Sequence, residues 1–196
     1  MIEHVSVYLS GRVFSGRNVA EGLIEKSKHT IIAATGTDVL PGTVNVWLDK
    51  PVALNNRYAS RISNARFIYW PALLHGVPVW VQRYDRGVLH IFELVADRNL
   101  RKELGLADGS RVTLELNHKY ILPMPYIGRV VWAIFWFGRG RRHLISDRYR
   151  DIVCKFCRRF GATQDSVHNS SLKLVCSVLG EVTGRVRDRL LNHELR

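Results

Sequence analysis

Three apolar, β-rich runs follow one another within residues 67–95, and they constrain this chain more than any other feature. Phe67–Trp70, Val77–Gln82 and Val88–Val95 are punctuated by Gly76, Pro78 and the Arg86-Gly87 pair, which leaves room for strands and turns and none for a long helix. Other strands flank them. "HVSVYLSGRVFSG" alternates and predicts a strand pair or one bent strand; Thr43–Leu48 after the turn "LPG" and Arg111–Leu116 after Asp108-Gly109 each predict a strand. Only one long helix is predicted in this part. Asn18 with Glu21 three residues on fits a capping box for a helix to about Ala34. Asn99 to Leu104 adds a turn or two. Many short strands with one real helix predict a mainly β domain over residues 1–118, closed as a barrel.

The pattern changes near Pro123–Pro125, and residues 119–196 are expected to form a basic, mainly helical extension. Ile152, Phe156 and Phe160 recur at helical spacing, with Val153 and Cys157 on the same side. Leu172 to Leu191 is a further candidate helix, weakened by Gly180 and Gly184. The run "VVWAIFWFG" has nine residues, far short of the ~20 that a membrane-spanning helix needs. It predicts a buried strand or a short core helix, and a membrane role is not expected.

The chain carries a net charge of +12, unevenly spread. Residues 1–118 hold 14 Lys/Arg against 11 Asp/Glu, and residues 119–196 hold 15 against 6. A basic surface attracts phosphates, nucleic acid or anionic lipid without specificity. "GRGRRH" and "CKFCRRF", with aromatics interleaved, suit a nucleic-acid surface and equally a solvated face. Three cysteines and no secretory leader argue against a disulfide framework and for a cytoplasmic protein. Cys154, Cys157, His168 and Cys176 are zinc-ligand types, but a single CxxC with irregular spacing makes a weak zinc site.

Two features carry candidate chemistry. Thr43 and Asn45 lie two residues apart where a strand begins, so they point to one side. A hydroxyl and an amide oxygen suit a magnesium ion that draws its negative charge from substrate phosphates; they also suit the plain task of satisfying backbone groups at a strand entrance. Glu93 interrupts the apolar "LHIFELVA". It either faces water at a sheet edge or accepts hydrogen bonds from a polar ligand.

Taken together, residues 11–116 resemble the archaeal-type CTP-dependent riboflavin kinases. "GRVFSG", "LPGTVNV", "YWPALLHGVPVWV" and "FELVADRNLRKELGLADGSRVTLEL" occur in that family's order, and the second is close to its Pro-Gly-Thr-Leu-Asn signature. The resemblance implies a six-stranded cradle-loop barrel. It implies transfer of the γ-phosphoryl of CTP, or of another nucleoside triphosphate, to the riboflavin 5′-hydroxyl, giving FMN. By the same resemblance, Thr43 and Asn45 hold Mg2+, and Glu93 contacts the flavin. A nucleotide would be held by Gly16, Arg17, Asn18, Val19, Ala20 and Glu21, and by Arg98, Asn99, Leu100 and Arg101. The sequence departs from the family in its first loop, where Asn18 and Ala20 stand for glycines, and at Asp85, which stands for a flavin-contacting threonine. The family has no counterpart of the basic tail. The alternative is a catalytically inactive barrel that binds nucleic acid, or senses a flavin or nucleotide, through that tail.

Overall fold

A computed structural model describes residues 5–16, 20–61, 67–84, 87–136, 153, 155 and 157–160. Six strands form a closed barrel in the order β1 (Ser6–Phe14), β2 (Val44–Leu48), β6 (Ile91–Val95), β5 (Val77–Tyr84), β4 (Phe67–Leu74) and β7 (Arg111–Asn117). Every neighbouring pair is antiparallel. A small sheet of β3 (Ala53–Leu54) and β8 (Ile121–Leu122) lies outside the barrel. The closed six-stranded barrel matches the sequence expectation. "HVSVYLSGRVFSG" is one strand rather than a pair, and its two halves have different neighbours. Ser6 to Arg12 pair with β7, and Gly11 to Phe14 pair with β2.

Alternation within the strands sorts the side chains. Val44, Val46 and Leu48 point inward with Val13, Trp70, Val81, Phe92 and Leu114, and together they fill the barrel. Gly11 is needed at the overlap of the two β1 pairings. A Cβ there would lie 2.5 Å from the Trp47 carbonyl oxygen, so any side chain would force β1 away from β2. Pro71 sits inside β4, which a central strand would not tolerate. Here β7 pairs with β4 only at Leu73 and Leu74, and Ser60 bridges Tyr69, so Pro71 falls in the gap between these two pairings, where no N–H is called for.

Two helices cover parts of the outer wall. Helix α1 (Ala20–Thr35) buries Ile24 and Ile31 with Val39 against Tyr69 and Val95, and Trp80 packs at the edge of this cluster. The indole of Trp80 also donates to Thr37 Oγ1 at 3.0 Å. The apolar run at 130–138 is helical where it is described: α3 (Tyr126–Trp136) packs Val131 and Trp136 with Val88, Val153, Cys157 and Phe160, against Trp47 and Ile91. The expected helix around Val153 and Cys157 is present in part, while Cys154, His168, Cys176 and the candidate helix 172–191 lie outside the described residues. Cys157 is buried in this cluster, and no group of three or more metal-ligating side chains occurs among the described residues. No helix among them is long and apolar enough to cross a membrane.

His90 lies at the centre of the α3 contact, completely buried. Its Nδ1 accepts a 2.7 Å hydrogen bond from the Trp132 indole, and the rings of Trp47, Trp132 and Trp136 stand 5.2, 5.5 and 5.3 Å away. Burial first, and the Arg83 charge second, push its pKa down to about 3. The unfolded chain protonates this histidine below about 6.5 while the folded chain does not. Stability from this source is therefore intact above pH 6.5 and drains away as the pH falls toward 3. By pH 4 the loss is on the order of 3 kcal/mol. Urea unfolding at pH 7 and pH 4 should show that loss in the wild type and a clearly smaller one in His90→Phe. Equal losses would show that other groups set the acid sensitivity.

Candidate functional site

Strand register builds a polar row on the outer wall. Asn45 of β2 pairs with Glu93 of β6, Glu93 with Gln82 of β5, and Gln82 with Tyr69 of β4. Directly opposed residues share a face, so the four side chains stand side by side across four strands. Apolar contacts bound the row above and below. On β6, Ile91 packs under α3 and Val95 under α1, with Glu93 between them. Asn45, Glu93 and Gln82 thus form a polar strip between two apolar flanks, and Tyr69 at its end belongs to the cluster under α1.

Glu93 accepts from Gln82 Nε2 at 3.3 Å. Tyr69, almost fully buried, has its phenol pKa pushed up to about 12, by burial first and then by the Glu93 charge, so it stays a neutral donor at ordinary pH. Glu93 does not face water at a sheet edge, because β6 has a partner on each side in a closed barrel. The row includes Gln82 and Tyr69, which sequence reasoning passed over. Their signal was a polar group within an otherwise apolar strand stretch, and it was masked because Gln82 ended an expected run.

Asn45 carries the row toward the first loop. Its face also presents Trp47, whose ring meets Phe14 edge-on at 6.1 Å, while Val44, Val46 and Leu48 point inward. A Cβ on Gly16 would lie 2.6 Å from Asn45 Nδ2 and 3.7 Å from its Oδ1. The amide nitrogen therefore faces the Gly16 backbone and the oxygen is turned away from it. Thr43 sits just before β2, half-buried. Neither the Thr43 hydroxyl nor the Asn45 amide makes a side-chain hydrogen bond among the described residues, so the task of satisfying backbone groups at the strand entrance does not account for them.

The Asp108-Gly109 turn ties the first loop to the Arg98–Arg101 segment. Asp108 accepts from the Ser15 backbone N–H at 3.0 Å, from Ser15 Oγ at 2.8 Å and from Arg101 at 3.0 Å. Desolvation opposes its charge, but the Ser15 hydrogen bonds and Arg101 outweigh that and hold its pKa at about 2. Gly109 N–H donates to the Val13 carbonyl at 2.8 Å. Ser15, the neighbour of Gly16, and Arg101 are thus joined through one carboxylate, which ties together two segments expected at one nucleotide site. The rest of the segment is occupied structurally. Arg98 is held by Asp97 and Glu103, Asn99 caps the single turn α2 (Leu100–Glu103) by accepting from Lys102 N–H, and Leu100 is buried in the barrel core. Arg17, Asn18, Val19 and Asp85 lie outside the described residues; Ala20 and Glu21 are described only as the first turn of α1.

The fold and this row define a small closed β-barrel with a polar strip on its outer wall, next to a loop held close by a glycine. A comparison with curated proteins gives that class a relative. The chain is 30% identical over 132 residues to a riboflavin kinase of Pyrobaculum islandicum (strain DSM 4184 / JCM 9189 / GEO3). The match covers 57% of this chain and 61% of the relative's length. No family model matches the chain.

Proposed function

We propose that this chain is a riboflavin kinase that moves the γ-phosphoryl group of a nucleoside triphosphate, with CTP as the first candidate, onto the riboflavin 5′-hydroxyl. One observation carries the reading most: Asn45 lies against Gly16 on one side and opposite Glu93 on the other. The loop expected to meet the nucleotide, the amide expected at the phosphates and the carboxylate expected at the flavin therefore adjoin. The similarity to a riboflavin kinase supports the same assignment.

Thr43 Oγ1 and Asn45 Oδ1 are the groups that would hold Mg2+. Both oxygens are neutral, which suits an ion that arrives with nucleotide phosphates and keeps several waters. When bound, such an ion neutralises phosphate charge, the main electrostatic need of phosphoryl transfer. The protein's own share is positioning. Glu93 accepts a hydrogen bond from the flavin side, Gly16 lets the loop lie directly against the Asn45 amide, and the Ser15–Asp108–Arg101 contacts keep the loop in place.

The test is phosphorylation of riboflavin by the purified chain with magnesium and, separately, CTP, ATP, GTP or UTP, with FMN resolved by chromatography. FMN formed with CTP alone supports the full reading. FMN with a different nucleotide keeps the kinase and reassigns the donor, as a loop with Asn18 and Ala20 in place of glycines would allow. No FMN from folded protein with any donor rejects the kinase and directs attention to ligands of the basic tail.

A further inference from the structure

Gln82 has a divided environment. The residue is 3% exposed, its Nε2 donates to Glu93 Oε2 at 3.3 Å, and its Oε1 is buried with no hydrogen-bond partner among the described residues. Glu93 as a carboxylate can only accept, so the amide orientation is fixed: nitrogen toward Glu93, oxygen away. A buried acceptor left unmet costs about 1–3 kcal/mol, and in native proteins such a group calls for an explanation, often a functional one. The terminal torsion of a glutamine is soft, so Oε1 can turn to meet a donor brought in beside the half-buried Glu93.

The row fixes which donor that is. Asn45 and Gln82 are separated by two strand spacings, about 9.5 Å, with Glu93 between them. The hydroxyl that receives phosphate has to lie at the Asn45 end, near Gly16. The ribityl chain then passes Glu93, and the ring system reaches Gln82 and Tyr69. Half-buried apolar side chains on both flanks suit a flat aromatic ring: Trp47 and Ile91 on one side, Trp80 on the other. The ring of riboflavin has one N–H donor, the imide N3–H, flanked by two carbonyl oxygens. Next to Gln82 in the row, Tyr69 supplies a phenol that can donate to one of those carbonyls.

We infer that Gln82 is the specificity-determining residue of the flavin site, its Oε1 accepting the imide N3–H of the isoalloxazine ring while its Nε2 holds Glu93 in place. This inference rests on the riboflavin reading, and its test separates the two. Binding of riboflavin and of 3-methylriboflavin, which lacks the N3–H, is measured by quenching of flavin fluorescence on the full chain without nucleotide. The wild type should bind riboflavin about tenfold more tightly than the methylated flavin, the worth of one hydrogen bond of about 1.4 kcal/mol. In Gln82→Met, riboflavin affinity should fall about tenfold and the preference should vanish. The wild-type comparison needs no variant to fold. Equal binding of both flavins by the wild type, or a preference that survives in Gln82→Met, overturns the Gln82 assignment and leaves the kinase reading in place. Failure of the folded wild type to bind either flavin overturns both.

Discussion

Asn45→Ala is expected to slow FMN formation by about 10²–10³-fold, the usual effect of removing one preorganised group that meets charge in the transition state. The expectation depends on position. Asn45 is half-buried on the outer wall, its amide is spent on no other side-chain bond among the described residues, and its backbone stays paired on both edges of β2. Removing its amide therefore takes away a ligand group without opening the core, and the thermal midpoint should move little. Asn45→Asp gives a sharper second test. It sets a carboxylate opposite Glu93, and like charges directly opposed across strands repel, so it should not restore the rate to the wild-type level. Single-turnover FMN formation at saturating magnesium, read beside a melting curve, checks both. An Asn45→Ala chain with wild-type turnover would remove this residue from the site.

The second large effect belongs to Arg83, which plugs one end of the barrel. Its guanidinium donates to the carbonyls of Val52 and Leu89 at 2.7 Å and to that of Ile91 at 3.3 Å, and it lies 4.6 Å above the Phe92 ring. Burial lowers its pKa to about 9, so it is still charged at neutral pH. The carbonyls come from two stretches of chain far apart in sequence, Val52 on one and Leu89 and Ile91 on the other, and one planar fork ties them together. Arg83→Met should cost about 3–5 kcal/mol of unfolding free energy, the range found when one member of a buried charged arrangement is removed and its partners are left unmet. Arg83→Lys should recover only part, because a point charge cannot reach all three carbonyls as the fork does. Urea unfolding measures both. A loss below about 1 kcal/mol in Arg83→Met would mean the carbonyls find other donors.

The barrel could be read from the sequence because its strands are short, alternate cleanly and are closely punctuated. Phe67–Trp70 and Val77–Gln82 needed only extension, to Leu74 and to Tyr84. The state of "VVWAIFWFG" could not be read, since a short run that is apolar at nearly every position lacks the periodicity that separates strand from helix. The site was legible in pieces. Thr43, Asn45 and Glu93 stood out as polar atoms in apolar strands, but their adjacency did not, because cross-strand register is a long-range property. Asn45 and Glu93 are 48 residues apart in the chain and directly opposed in the barrel. The same holds for Asp108, whose turn was recognised while its grip on Ser15, across the whole domain, was not.

The crowding of Trp47, Trp132 and Trp136 around His90 has an optical consequence. The chain has five tryptophans. Trp70 lies inside the barrel, Trp80 beneath α1, and the other three on the α3 flank. The ultraviolet emission of this protein therefore reports chiefly on whether α3 is seated, and much less on whether the barrel is intact. Trp47 shares its face with Asn45, so a yellow chromophore settling on the polar row would take up part of that emission directly, and the protein carries its own gauge of occupancy with no label attached.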